Sequence, residues 1–229
     1  MKRSKKSTFN AKAYYLLGSL ATALFLVLAF LIKMGHTQSP LGFDKPIQTF
    51  AYHLQSSQIL ISFFSNFTNL FGDKGGFITS AVVALALFFI VKEKIGALWF
   101  GILVVISTGV NTLIKDLIGR TRPDLHRIAA FAHEGGLSFA SGHSTFGVVL
   151  FGALFLIFFQ KMRSSGSKFS FAFLAFFLAL LVMFSRIFVG VHYPSDTIGG
   201  LLEGFAFLMF SYPTFVKFNH KDYAWKILK

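Results

Sequence analysis

Ala13-Tyr-Tyr-Leu-Leu-Gly-Ser-Leu-Ala-Thr-Ala-Leu-Phe-Leu-Val-Leu-Ala-Phe-Leu-Ile32 runs for twenty residues without a charge. At about 1.5 Å of helical rise per residue, such a run covers about 30 Å, the thickness of a bilayer's hydrocarbon core. Hydrocarbon offers backbone N–H and C=O groups no water, so the stretch must pair them within itself, as a helix does. Basic residues precede it, as in a secretory leader, but its apolar part is too long and no small-x-small site closes it. It is expected to persist as a membrane span.

Five further apolar stretches, 76–91, 95–114, 144–160, 169–184 and 197–216, repeat the pattern of 13–32. The expected fold class is therefore all-α, a polytopic integral membrane protein with six transmembrane helices. The second and fifth spans are short enough to stand upright or thin the bilayer. Composition agrees: of 229 residues 54% are hydrophobic, 32 are Phe and 14% are charged. That is more apolar surface than a soluble domain of this size hides, and it excludes disorder. Cysteine is absent, which excludes disulfide frameworks, thiol nucleophiles and Cys-ligated metals. No internal repeat or low-complexity linker divides the chain, so residues 1–229 read as one integral domain.

A net charge of +13 on a soluble protein suggests a nucleic-acid partner. Here position decides. With the N-terminus inside, segments 1–12, 92–94, 161–168 and 217–229 hold 14 of the 22 Lys and Arg residues. Segments 33–75, 115–143 and 185–196 hold eight over more than twice the length. This is the positive-inside asymmetry of a plasma-membrane protein with cytoplasmic termini, and no nucleic-acid partner is needed to explain it. Lys217 to Lys229, with Tyr223 and Trp225, reads as an inner interfacial anchor. In the first outer segment, Ile47, Phe50, Ala51 and Leu54, then Leu60, Phe63, Phe64 and Phe67, recur at helical spacing. They predict two amphipathic helices lying in the outer interface, broken by Gly72 and Gly75-Gly76 before the second span.

Three polar clusters fall at that same face: Lys115-Asp-Leu-Ile-Gly-Arg-Thr-Arg122-Pro123, Ser138-Phe-Ala140-Ser141-Gly142-His143-Ser144, and Ser185-Arg186-Ile-Phe-Val-Gly-Val-His192-Tyr-Pro-Ser-Asp196. Lys115, Arg122 and Arg186 bring three cations to one rim, which repel one another unless an anion joins them; phosphate suits forked Arg contacts. Ser141-Gly142-His143 opens a helix, whose free N–H groups and positive dipole end favour an anion. His143 and His192 supply two groups that titrate near neutrality, and Asp196 stands where it can orient one imidazole. Together these describe phosphoryl transfer through a covalent intermediate. Taken singly each cluster has a plainer reading, as an interfacial anchor, a surface loop His or an ordinary helix cap. The plainer readings give no reason for all three to share the face where basic residues are otherwise sparse.

The spacings resemble the three signature motifs of the phosphatidic acid phosphatase type 2 superfamily, lipid phosphate phosphatases related to vanadium haloperoxidases. Lys-x6-Arg-Pro matches at Lys115, Arg122 and Pro123, and Ser-Arg-x5-His-x3-Asp at Ser185, Arg186, His192 and Asp196. The middle Pro-Ser-Gly-His matches at Ser141, Gly142 and His143 and departs at Ala140. There the fixed backbone angle of proline is lost, implying a less preorganised loop and an altered rate. The resemblance implies that His192 is the nucleophile, oriented by Asp196, and that His143 protonates the leaving oxygen and then activates water. Lys115, Arg122, Ser141, Gly142 and Arg186 would bind the phosphoryl oxygens. It implies no metal and no cofactor, and the sequence offers no compact carboxylate cluster to hold one. The implied substrates are membrane lipids: phosphatidylglycerol phosphate, phosphatidate or undecaprenyl pyrophosphate. A lipid-to-lipid phosphotransferase using the same site, and a phosphate-binding transporter, stand as alternatives. The sequence gives no oligomeric state.

Other polar residues carry weaker expectations. Glu203, an ionisable group inside the last span, is a functional candidate; the favoured reading is structural, a hydrogen bond to a neighbour in a closely packed helix marked by Gly200 and Gly204. Asn111 is expected to support Lys115 one turn on. Arg120, Asp124, His126, Arg127, His133 and Glu134 lie in the loop before the fourth span and are expected to be solvated loop residues, with contact to a lipid head group as the alternative.

Overall fold

The computed structural model describes residues 9–35, 39–124 and 126–219, and all regular structure among them is helical. Eight α-helices follow in order: α1 Ala11–Met34, α2 Asp44–His53, α3 Gln58–Asn69, α4 Asp73–Leu85, α5 Lys94–Ile118, α6 Gly142–Phe159, α7 Ser165–Phe188 and α8 Pro194–Asn219. α4 continues through a π-helical turn, Ala86–Ile90. Six of these are long and apolar enough to cross a membrane: α1, α4 with its π turn, α5, α6, α7 and α8. The six spans thus stand where hydropathy put them, with corrected ends. α7 is no short span, since its 24 residues reach about 36 Å at helical rise. α5 and α7 carry on past their apolar runs because helical hydrogen bonding does not stop where hydropathy does. Lys115 and Arg186 consequently sit in last helical turns. The anchor expected at Tyr223 and Trp225 lies outside the described residues.

The two amphipathic helices predicted for the first loop are α2 and α3. Ser57 caps α3, its hydroxyl accepting from Leu60 N at 3.4 Å. Phe64 turns inward against Phe184 and Phe188, with ring centroids 5.5 and 4.5 Å away, while Phe50 and Phe63 face outward. Gln55 pins the turn between them by donating to Phe188 O at 2.5 Å.

α6 is the axle. It packs against α5, α7 and α8, and α1 packs on the far side of α8. Half or more of the apolar windows of α6 and α8 is buried, 56% in each, against 11% for peripheral α4. The α6–α8 approach depends on small residues. A Cβ at Gly204 would stand 2.9 Å from Thr145 O, and one at Gly200 2.6 Å from Ser141 O, so both helices meet backbone to backbone. This contact sets the depth of the α6 N-terminus against the first turn of α8. Gly204→Val should therefore force the two helices apart at a cost of about 1–3 kcal/mol, read as a lower thermal midpoint of the purified protein in detergent.

Candidate active site

The C-terminal ends of α5 and α7 and the N-terminal ends of α6 and α8 meet at one end of the bundle, and the loops between them bring all eight predicted site residues into one group. His192 lies in the link from α7 to α8. The link turns at Gly190, whose φ of +81° favours glycine, and a Cβ there would run into the backbone of His126 and Arg127. Asp196 follows in the first turn of α8 and is fully buried. Its Oδ2 accepts from Tyr193 N at 2.8 Å and from the Ser138 hydroxyl, and lies 3.3 Å from His192 Nδ1.

On the other side of the imidazole, Arg122 Nη1 stands 2.9 Å from His192 Nε2. A guanidinium can only donate, so Nε2 presents its lone pair and the ring proton lies on Nδ1, towards Asp196. Burial first, then Arg122, Lys115 and Arg186, then His143, pushes the His192 imidazole well below the usual histidine range. The ring is thus neutral at neutral pH, its Nε2 lone pair turned towards Arg122 and its Nδ1 held by Asp196.

Lys115, Arg122 and Arg186 lie within electrostatic reach of one another. Lys115 Nζ donates to Leu137 O at 2.8 Å, and the buried Arg186 donates to Thr68 Oγ1 of α3 at 3.0 Å. Ser141 caps α6 and donates its own N–H to Asp196 O at 3.0 Å, tying the turn at the head of α6 to α8. The first N–H groups of α6, at Gly142 and His143, have no acceptor within the helix. His143 lies close enough to Lys115, Arg122, Arg186 and His192 to interact electrostatically with each. Its ring abuts the turn before α4, where a Cβ at Gly72 would stand 3.1 Å from Nε2. Among the described residues no three His, Cys, Asp or Glu side chains gather as metal ligands would.

Several supporting residues depart from the sequence expectations. Asn111 supports Glu203 and the α6 turn rather than Lys115: its amide donates to Glu203 Oε2 at 2.7 Å and Ala140 O at 3.3 Å. Glu203 also accepts from Thr145 Oγ1 at 2.8 Å, so it has the hydrogen-bonding role expected of it, beneath Ser141. Arg120 is no solvated loop residue. It is fully buried, with Nη1 donating to Asp196 Oδ1 and Ser195 Oγ at 2.7 Å each and Nη2 donating to Asp44 Oδ2 at 3.3 Å. Asp44 in turn accepts from Ser195 N at 2.7 Å. Arg127 braces its own loop, donating to Pro123 O at 2.6 Å and Glu134 O at 3.0 Å. Glu134 joins Arg122 and Arg186 directly. Asp124, His126 and His133 are exposed as expected.

Two outcomes are expected from this arrangement. Arg120→Met leaves two carboxylates buried without their shared cation, which should cost about 3–5 kcal/mol and appear as a large drop in thermal midpoint. Acidification acts through His192. Unfolded chains take up a proton as pH falls through about 6.5 while the folded ring does not, so the unfolded state gains and stability declines below that pH. His192→Gln lacks this component, and its thermal midpoint should fall less than that of the unaltered protein between pH 7 and 5.

Comparison with known proteins gives the family of the chain. The profile of the PAP2 superfamily matches residues 96–220. Phosphatidylglycerophosphatase B of Bacillus subtilis (strain 168) is 28% identical over 188 residues, covering 80% of this chain and 88% of that protein. The lipid A 1-phosphatase of Rhizobium johnstonii is 40% identical over 108 residues, which cover 44% of this chain and only 40% of that protein. The crystal structure of a transmembrane PAP2 type phosphatidylglycerolphosphate phosphatase from Bacillus subtilis shares the fold. Its TM-score is 0.71 at 24% identity, over 91% of this chain and 98% of that one. A profile match across more than half the chain, through all three polar clusters, means that this multi-pass membrane phosphatase belongs to the PAP2 superfamily.

Proposed function

We propose that the chain hydrolyses the phosphate of membrane lipids at the outer face of the plasma membrane, through a phosphohistidine intermediate. The observation that carries this reading is the line Arg122–His192–Asp196: a neutral imidazole with Nε2 beside a guanidinium and Nδ1 facing a buried carboxylate. His192 Nε2 attacks phosphorus and the bond from phosphorus to the leaving oxygen breaks. His143 gives that oxygen its proton. Water then attacks the phosphohistidine, His143 takes the water's proton, the N–P bond breaks and inorganic phosphate leaves. Lys115, Arg122 and Arg186, with the N–H groups of the Ser141-Gly142 turn, hold the phosphoryl oxygens where charge builds up. Asp196 keeps the proton on Nδ1 and offsets the positive charge the ring acquires.

Substrates in this reading are lipid phosphate monoesters or pyrophosphates, namely phosphatidylglycerol phosphate, phosphatidate and undecaprenyl pyrophosphate. The name of the Bacillus subtilis relative favours the first. The lipid tail stays in the bilayer and the head group meets the cationic rim. The outward orientation rests on the basic residues gathered at the opposite helix ends.

His192→Ala removes both the nucleophile and the atom that carries the intermediate, and Asp196→Asn leaves the ring free to take the wrong tautomer. Each should lower turnover of a lipid phosphate in detergent by about 10³-fold or more. Radiolabelled phosphate should be trapped on the unaltered chain in an acid-labile bond and be absent from the Ala variant. Near-normal turnover in His192→Ala would overturn the assignment.

A further inference from the structure

Glu134 holds a place in the cation cluster that the reaction leaves unexplained. A single carboxylate oxygen, Oε1, lies 3.0 Å from Arg122 Nη1 and pairs directly with Arg186 Nη2. One oxygen shared by two guanidiniums is the contact that a phosphoryl oxygen would make with the same pair. The arginines themselves are well fixed. Arg122 Nη1 also faces Val191 O at 3.2 Å and His192 Nε2 at 2.9 Å, and Arg186 Nη1 holds Thr68.

The carboxylate is the open member of the trio. Its side chain is 25% exposed, against 12% for Arg122 and 0% for Arg186. It stands in the irregular loop between α5 and α6, followed by Gly135 and Gly136, around which a Cβ would meet nothing within 4 Å. The buried acids beside the cluster are already committed, Asp196 to Arg120 and Glu203 to Asn111 and Thr145. Without a lipid phosphate, Glu134 is therefore the carboxylate paired with both arginines.

We propose that Glu134 is an exchangeable counter-anion: the incoming phosphoryl group displaces it from Arg122 and Arg186, and it returns to help expel inorganic phosphate. This rests on the reading that these cations grip a phosphoryl group. The competing role, a permanent brace that holds the arginines in position, makes the opposite demand. Removing a brace weakens phosphate binding, whereas removing a competitor strengthens it.

The test uses the purified full-length chain in detergent, unaltered and as Glu134→Gln and Glu134→Asp. Inorganic phosphate is the probe, followed by thermal shift and by competitive inhibition of phosphatidate hydrolysis. Glu134→Gln, which keeps the size and loses the charge, should bind phosphate about tenfold more tightly. KM for phosphatidate should fall in parallel and kcat should not rise. Glu134→Asp should stay closer to the unaltered protein than the Gln variant does. Unchanged or weaker phosphate binding in Glu134→Gln overturns the proposal, whatever the turnover. Tighter phosphate binding without phosphatidate hydrolysis in any of the three proteins would support the exchange and sink the hydrolase reading instead.

Discussion

Cations taken out of water must be matched by anions, and this constraint organises the end of the bundle that carries the site. An unpaired guanidinium in a buried site is costly, and its cost is relieved only by a carboxylate or an anionic ligand close by. The chain meets the demand in two ways. Arg120 is locked between Asp44 and Asp196 with all three side chains fully buried. Arg122 and Arg186 share the partly exposed Glu134. The first arrangement fixes geometry; the second leaves two forked donors matched by a group that solvent can reach. Asp196 belongs to the fixed set and also faces His192, so the carboxylate orienting the imidazole is itself oriented by the buried arginine.

Helix packing explains how short loops can hold such a cluster. α6 meets α8 at the distance that Gly200 and Gly204 permit, and the Ser141 N–H reaches Asp196 O. Glu203, Asn111 and Thr145 fill the space directly beneath with hydrogen bonds to one another and to the backbone at Ala140 and Ser141. Buried polar contacts of this kind rigidify their surroundings, here through Glu203 Oε2, while Glu203 Oε1 has no hydrogen-bond partner among the described residues. They also bear on Ala140, where the sequence lacks proline's constraint. Asn111, reaching from α5 to the Ala140 carbonyl, restrains that turn from below.

The spans were legible because an uncharged run of twenty residues has few other readings, and the candidate site residues could be picked out because they stand at fixed spacings near helix ends, which the fold brings together. Pairings across the chain were not. Asp44 meets Arg120 and Ser195 over 76 and 151 residues, and Thr68 meets Arg186 over 118. No periodicity records such contacts, since each partner sits in a different element and only packing brings them together. Arg120 and Glu134 were misread for a related reason. A charged residue in a polar loop has the same local signature whether it faces water or folds back onto helix ends. The one available hint was arithmetic: six apolar helices converging on few acidic residues leave little else to offset Lys115, Arg122 and Arg186.

In the proposed reading, the position of the cluster at helix ends ties its electrostatics to the bilayer. Deep in hydrocarbon the same three cations would be prohibitively costly, and in open water their field would be screened within about 10 Å. In the proposed orientation, at helix ends level with lipid head groups, they meet an intermediate effective dielectric and a phosphate that already resides there. In the proposed reaction the bilayer therefore does the work of concentrating substrate, and the protein needs affinity only for the phosphoryl group. An unopposed triple-cation site would bind that group strongly in substrate and in product alike, which lowers KM without raising turnover. A carboxylate competing for two of the three cations weakens both ground states together. It leaves intact the contacts that strengthen only as charge develops on the leaving oxygen.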